Sequence, residues 1–470
     1  MYDCNPEPMG TLAERRMRQM SSDIRSKPDW METISNADAR AGWAAKAKAR
    51  WLTDVEFAYV LDELAYNIKL SAADGVWFSD TLVDDKTTNE LRDYVAILES
   101  VPDRQKDWYP NDRSRVLNLL DPSLYPLIYS CSKLCHETSM SPQAALKLGK
   151  VGEFPGSIEG WHKTLNVTEG GEPDYHLPTG HGRWLPSEFR IGDNGAVTIE
   201  SYINNLHPVK HAALYPIIAS VFSKFLPLLE QVVTDLVHPR QPRVKPNRDK
   251  YKSNEPLPDR NNDYYEEDLI LWKRRATFVH PQPEPFVAPA RPVSPYNLRG
   301  RRLQAIVKIV AGLANERIIA TGVFFYDVAN IAPASLGVRE AICSWNFEAE
   351  QCDIESVVKA YGIEPSQGGE EDPISQELGS VGIKDGRCVV FPNINQYKFP
   401  ELKLADKTKP GHCKMLTFYF VDPSTRIPST EIVPPQQLDW YFEDILEFEP
   451  FRGLPQLVMD SILAKVDFPI

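Results

Sequence analysis

His207 and His211 in "LHPVKH" stand four residues apart, a spacing that brings two imidazoles onto one helical face and can hold zinc. Zinc needs at least a third protein ligand, and the neighbouring sequence offers neither that nor a glutamate placed as in HExxH. Pro208 instead marks a first helical turn with His207 near its cap, which favours a structural role for the pair. Cys131, Cys135 and His136 suggest a thiol–imidazole couple. Adjacent side chains such as Cys135 and His136 point different ways, however, and packing as small apolar groups is the commoner fate of such cysteines. "VGEFPGS" and "TEGGEP" are glycine-containing but lack the spacing and lysine of a phosphate-binding loop, and no G-x-S-x-G nucleophile elbow is present.

The elements that must position any site change character along the 470 residues. Up to about residue 100 the pattern is helical. "DVEFAYVLDELAYNIKL" places Val55, Phe57, Leu61, Leu64 and Ile68 near one face, with Asp54 as N-cap. The basic run "ERRMRQMSSDIRSK" reads as a solvated helix face. Residues 101–238 turn to short apolar runs punctuated by Pro, Gly, Asn and Asp, with a hairpin at Asp193-Asn194-Gly195 and a closing helix from roughly Ala212 to Val237. That helix is interrupted by Pro216, Lys224, Pro227, Glu230 and Asp235, which suits a buried helix better than a membrane span. Residues 239–300 are rich in Pro and charge and read as an extended wrap over a surface. From 301 to 430 the strands resume in "LQAIVKIV", "RIIATGVFFY", "EAICSWNF", "GRCVVFPNINQYKF" and "KMLTFYFVD", whose alternation favours an antiparallel sandwich or barrel. Residues 431–470 carry two amphipathic helical patterns, "PPQQLDWYFEDILEF" and "LPQLVMDSILAKVDF". The fold class expected is therefore α+β.

The formal charge of −13 sets up a field that repels phosphate backbones, so nucleic acid is not an expected partner, nor is a membrane. Seven cysteines without a CxxC pair suit free thiols in a reducing compartment, and "MYDCNPEPMG" lacks the basic and apolar run of a signal peptide. A cytoplasmic location is the expectation. Oligomeric state is not legible.

Several stretches in order, "DWYPNDRSRVLNLLDPSLYPLIY", "GRWLPSEF", "SYINNLHPVKH", "GRRLQAIVKI", "ERIIATGVFFYDVANI", "SQELGSVGIKDGRCVVFPN" and "LADKTKPGHCKMLTFYFVDPSTRIPSTEIVPPQQ", resemble the fungal proteins grouped as domain of unknown function four-two-four-six. The resemblance implies a double-stranded β-helix, or jelly roll, like that of iron(II)/2-oxoglutarate oxygenases, with helices at both ends packed around it. Such enzymes hold iron with two histidines and a carboxylate and clamp the keto acid with a basic residue. Family members carry Trp-His-Val-Glu-Gly between the strands matched by "LQAIVKIV" and "NERIIATGVFFYD", whereas this chain runs from Val310 directly into Ala311-Gly312. The family's Gln-His-Arg is replaced by Gln396-Tyr397-Lys398, and its Gly-His-Arg-Lys by Gly411-His412-Cys413-Lys414. Tyr109 and Asp121 stand where the family tends to carry histidine.

The expectation that follows is a barrel without its metal ligands and without a cofactor. Phe324, Phe325, Tyr326, Phe391, Phe418 and Tyr419 make it aromatic-rich, which suits a pocket for a flat ligand and equally a packed core. The function expected is iron-independent cyclisation, isomerisation or elimination of a small, aromatic or phenolic substrate in specialised metabolism. Tyr397 is the candidate proton donor, His412 the base or orienter, and Glu316 or Asp327 its partner. Phe324, Tyr326, Phe391, Phe418 and Cys413 are the candidate substrate-binding residues. The alternatives are an oxygenase whose ligands lie elsewhere or in a missing exon, and a non-catalytic partner protein.

Overall fold

The computed structural model describes residues 7–8, 10–27, 29–66, 71–102, 106–109, 116–128, 182–239, 261–275, 295–309, 317–343 and 375–437, with short pieces at 132, 134–135, 141–146, 151–152, 242–244, 255–256, 258–259, 282–288, 360–362, 440–441, 454–455 and 458. In chain order the elements are β1 (Glu7–Pro8), α1 (Leu12–Arg25), α2 (Trp30–Thr33), α3 (Ala37–Ala49), α4 (Asp54–Tyr66), β2 (Ser71–Ala73), β3 (Val76–Ser79), α5 (Asp85–Glu99), β4 (Asp107–Trp108), β5 (Leu117–Asn118), β6 (Leu134–Cys135), β7 (Val151–Gly152), β8 (Ser187–Ile191) and β9 (Val197–Ile199). There follow α6 (Leu214–Val237), α7 (Tyr265–Arg275), β10 (Arg302–Lys308), β11 (Ile318–Ala329), β12 (Ser335–Cys343), β13 (Ser375–Gly382), β14 (Arg387–Pro392), β15 (Asn395–Lys398) and β16 (His412–Val421). The chain is α+β. Most of the C-terminal helical patterns and the segment 310–316 lie outside the described residues.

Two sheets dominate. The larger runs β2-β3-β14-β11-β16-β10-β8-β9, and the smaller joins β12 to β13, β15 and β1. Alternation of side chains along a strand divides the large sheet into two faces. Leu303, Ala305, Val307, Phe324, Tyr326, Val390, Phe418 and Phe420 face α5 and α6, while Val323, Phe325, Val389 and Phe391 share a second core with Leu336, Val338, Leu378 and Val381 of the small sheet. The hairpin between β8 and β9 turns through Gly195, whose φ of +80° needs a residue without a Cβ penalty.

Helix α6 is long and apolar enough to cross a membrane by length and composition, but its apolar side is packed on the large sheet. Phe222 stacks on Phe189 at 4.3 Å and meets the edge of Phe418 at 5.3 Å, and Phe225 meets Phe418 at 5.4 Å. Gly322 permits this approach. A Cβ there would sit 2.9 Å from two ring carbons of Phe225 and 3.0 Å from Phe420. Helix α7 was not expected in the Pro-rich region. Its first turn carries Glu266, Glu267 and Asp268, which suits a helix N-terminus, and Trp272 donates to the carbonyl of Glu255 at 3.0 Å.

Two expectations for the N-terminal helices need correcting. The N-cap of α4 is Thr53, not Asp54. Thr53 Oγ1 accepts from the Glu56 N–H while Glu56 accepts from the Thr53 N–H at 2.9 Å, a capping box. The buried face of α4 is Glu56, Val60, Glu63 and Leu64, and Val55 is exposed. The basic run of α1 is not a solvated face either. Glu14, Met17, Met20 and Arg25 are buried, and Arg18 pairs with Glu14, Asp74 and Glu340. Glu56 pairs with Arg16 of α1, and Glu63, Glu14 and Arg18 are drawn inward by one ionic cluster. The guanidinium of Arg243, from the segment after α6, donates to Glu63 at 2.9 and 3.0 Å, to Glu14 at 2.8 Å and to Asp74 at 2.8 and 3.1 Å. Desolvation works against its charge, but Asp74, Glu63 and Glu14 outweigh this and hold it firmly protonated.

A second ionic clamp fixes the small turn after β3. Arg387 grips Asp80 with two parallel bonds of 2.6 and 2.9 Å, and Lys384 adds a third at 2.8 Å. Partial burial pushes the Asp80 carboxyl up, yet these cations bring it below its ordinary value. A carboxylate depressed in the fold contributes stability that is complete above its unfolded pKa of about 3.9 and vanishes as pH falls through the folded value. Asp80→Asn is therefore expected to cost about 1 kcal/mol at pH 7 and progressively less as pH falls below about 4. Urea unfolding at pH 7 and through the acid range checks this, and a loss that does not shrink in acid would contradict it.

Candidate active site

The second face of the large sheet, turned toward the small sheet, carries the polar groups that matter. Along β10, Gln304, Ile306 and Lys308 alternate with the helix-facing Leu303, Ala305 and Val307. Lys308 is thereby buried, only 2% exposed, at the end of the strand. Residues 119–121 run alongside the end of β10, because Leu120 and Ile309 bridge through their backbones, and this sets Asp121 beside the lysine. The Lys308 Nζ lies 3.6 Å from Asp121 Oδ1 and 5.1 Å from the centre of the Trp184 ring. Asp121 Oδ1 also accepts from the N–H and hydroxyl of Ser123 at 3.0 and 2.8 Å, which fixes its orientation.

From Trp184 an aromatic line continues across the interior. Trp184 meets Tyr419 at 5.6 Å, and the Tyr419 and Tyr397 hydroxyls are 3.5 Å apart. Tyr397 packs on Phe391 at 5.0 Å and Phe399 at 5.8 Å. Strand β15 delivers Tyr397 by pairing with β12, Val338 opposite Tyr397, and β16 delivers Tyr419 by pairing with both β10 and β11. Burial pushes the Tyr397 phenol up despite the hydrogen bond with Tyr419, so it keeps its proton at neutral pH. Burial pulls Lys308 below the ordinary lysine value, with Asp121 opposing.

The sequence-derived candidates separate into three groups. Tyr397, Phe391 and Cys413 belong to the core between the sheets, where burial, and then Asp327 and Asp385, raise the Cys413 thiol to about 11. Phe324, Tyr326 and Phe418 lie on the opposite face, packed toward α5 and α6, because they fall on the alternate positions of β11 and β16. They are core residues of a cluster separate from that of Tyr397. His412 and Asp327 do meet, at 2.9 Å, but at the edge facing α5, where Lys414 reaches Asp327 at 3.4 Å and Glu99 at 2.9 Å. Partial burial raises the Asp327 carboxyl, and His412 and Lys414 more than reverse this. That half-exposed pair is a surface ion cluster apart from Tyr397. Glu316, Val310-Ala311-Gly312, Cys131 and His136 lie outside the described residues.

His207 has the structural role its sequence context favours. Its Nδ1 accepts from the backbone N–H groups of Val209 and Lys210 at 3.2 and 3.1 Å, capping the turn that leads into α6. Lys308 and Trp184 were not anticipated. The available signal was parity: counting by twos from Gln304 puts Lys308 on one face with Ile306, but which face is enclosed depends on the partner sheet.

The ferrous site implied by the family resemblance does not fit these residues. Among the described residues no group of three His, Cys, Asp or Glu side chains comes together to hold a metal. Strand β15 presents a phenol that keeps its proton, and an ammonium occupies the vicinity of Asp121 and repels a divalent cation.

Residues 46–311 and 309–444 match a family model described as protein of unknown function (DUF4246). No curated protein matches the chain. Among solved structures, one similar chain is a selenomethionine-labelled Fe(II)/(alpha)ketoglutarate-dependent dioxygenase, TqaL, at 10% identity, covering 76% of this chain and 96% of that one, with a TM-score of 0.25. With its family model matched from the helical region through the last strand of the large sheet, the chain belongs to the DUF4246 family.

Proposed function

We propose that the interior between the two sheets is an iron-free acid–base site for a small aromatic or phenolic molecule, carried on a jelly-roll barrel. Two features support the barrel. The central order β14-β11-β16-β10 interleaves early and late strands, and β12, β13 and β15 form the facing layer, as closure of a double-stranded β-helix requires. The observation that carries the chemistry is the Tyr397–Tyr419 hydroxyl pair, 3.5 Å apart and walled by Trp184 and Phe391.

A phenol kept protonated by burial donates to a carbonyl or leaving oxygen as charge develops there, and the second hydroxyl shares the negative charge left behind. The Lys308–Asp121 pair supplies a proton acceptor and an opposite pole on the same wall. Flat aromatic walls hold a ring in register with both ends. Cyclisation, isomerisation and elimination need this orientation and proton relay and no electron acceptor.

The test is thermal unfolding of the whole protein with a panel of phenolic compounds. A binding phenol raises the melting temperature by mass action. Tyr397→Phe keeps the unliganded melting temperature and weakens that binding about 5–10-fold, the worth of one hydrogen bond. Turnover of 2-oxoglutarate that depends on added iron would overturn the proposal.

A further inference from the structure

We infer that Lys308 is a covalent-capture residue, whose amine condenses with the carbonyl carbon of an aldehyde or ketone held between the sheets while Asp121 carries the proton. The inference deepens the acid–base reading and rests on its premise that a small molecule enters this interior.

A lysine buried at the end of β10 is a poor structural choice. It is 2% exposed, and its carboxylate neighbour makes only a long contact of 3.6 Å, with that oxygen already engaged by Ser123 at two donors. Loosely paired buried charges are costly, and an apolar side chain of similar size in place of an ion pair is commonly as stable or more so. Its nearest strand neighbours are apolar, with Ile306 before it on the same face and Val307 and Ile309 on the other. Trp184 covers the amine on one side, and beyond it the Tyr419 and Tyr397 hydroxyls continue the polar line. The neighbourhood therefore holds a nucleophile, a proton carrier and a flat wall on which a ring can lie.

The chemistry closes without a co-reactant. The ammonium gives a proton to Asp121, and the nitrogen lone pair attacks the carbonyl carbon. The C–N bond forms as the carbonyl π pair moves to oxygen, which is protonated to give a carbinolamine. Loss of that oxygen as water breaks the C–O bond, and the nitrogen pair closes the C=N bond. Net, amine and carbonyl give imine and water, with no change in oxidation state. The protonated imine is an electron sink for a neighbouring carbon, the role lysine plays in covalent catalysis of this kind. Burial, which holds the amine below the ordinary lysine range against the pull of Asp121 and the more distant Asp107, enlarges the fraction present as free base. Each pKa unit of that lowering gives about tenfold more free amine near neutral pH.

The whole protein is incubated near pH 7 with benzaldehyde or pyruvate and sodium cyanoborohydride, and reduced adducts are located by peptide mass spectrometry. The expected result is a dominant adduct on Lys308, formed several-fold faster than the average for the other lysines. Lys308→Arg retains the charge beside Asp121 and cannot form an imine, so it keeps its melting temperature and loses the adduct. Labelling of Lys308 no faster than the surface lysines overturns the inference. If phenols still raise the melting temperature in that case, the acid–base reading survives alone. Fast labelling of Lys308 with no phenol effect and no consequence of Tyr397→Phe upholds covalent capture and removes the phenolic proton relay. Failure of both measurements removes both.

Discussion

Arg243→Met is expected to remove about 3–5 kcal/mol of stability, the cost of leaving buried charges without their partner. The guanidinium fork satisfies Glu63 and Asp74 with two bonds each and Glu14 with one, and Glu14 also accepts from the Val244 N–H at 3.1 Å. Glu14 and Glu63 are nearly closed to water, so they cannot recover by hydration. Arg18 and Arg25 remain near Asp74 but cannot reproduce the three-way fork. Arg243→Lys supplies the charge without the planar geometry and should recover only part of the loss. Chemical denaturation at pH 7 measures both variants. A loss below about 1 kcal/mol for the methionine variant would mean that the cluster behaves like a surface ion pair.

Phe418→Ala is expected to cost about 3–5 kcal/mol, as for a large aromatic removed from a packed core. Phe418 is fully buried, with Phe222 at 5.3 Å and Phe225 at 5.4 Å on α6. Because it faces the helix, its loss should leave the affinity of a phenolic ligand unchanged once the folded fraction is taken into account. Phe391→Ala makes the comparison informative. Phe391 is equally buried, but it faces Tyr397, so that variant should lose both stability and ligand affinity. A ligand affinity that falls alike in both variants would contradict the assignment of faces.

Period-2 alternation and β-branched content identified the strands of β10, β11, β14 and β16, because apolar strands buried on both faces leave few other options. The same property hid the faces. When both sides of a strand are apolar, Phe324 and Phe325 look alike, and only the register between strands and the position of α6 tell core from interior. Helix α4 failed in the opposite way. Its inward positions include Glu56 and Glu63, which a hydrophobicity count assigns to solvent, and their partners Arg16 and Arg243 lie far away in sequence. Tyr397 was legible through its departure from a family motif and does lie between the sheets. Its companions were not: His412 and Asp327 found one another at the α5 edge, whereas Asp121, noted only as a replaced histidine, stands beside Lys308.

The Arg243 cluster also bears on the order in which the protein matures during synthesis. Arg243 is 229 residues beyond Glu14 and 180 beyond Glu63. At ordinary elongation rates the ribosome needs roughly 10–40 s to travel from Glu63 to Arg243. Throughout that interval the N-terminal helices carry acidic side chains whose buried counter-ion has not yet been made. Their final docking is thus deferred until the segment that follows α6 has left the exit tunnel, so α1 and α4 finish folding late although they are made well before it.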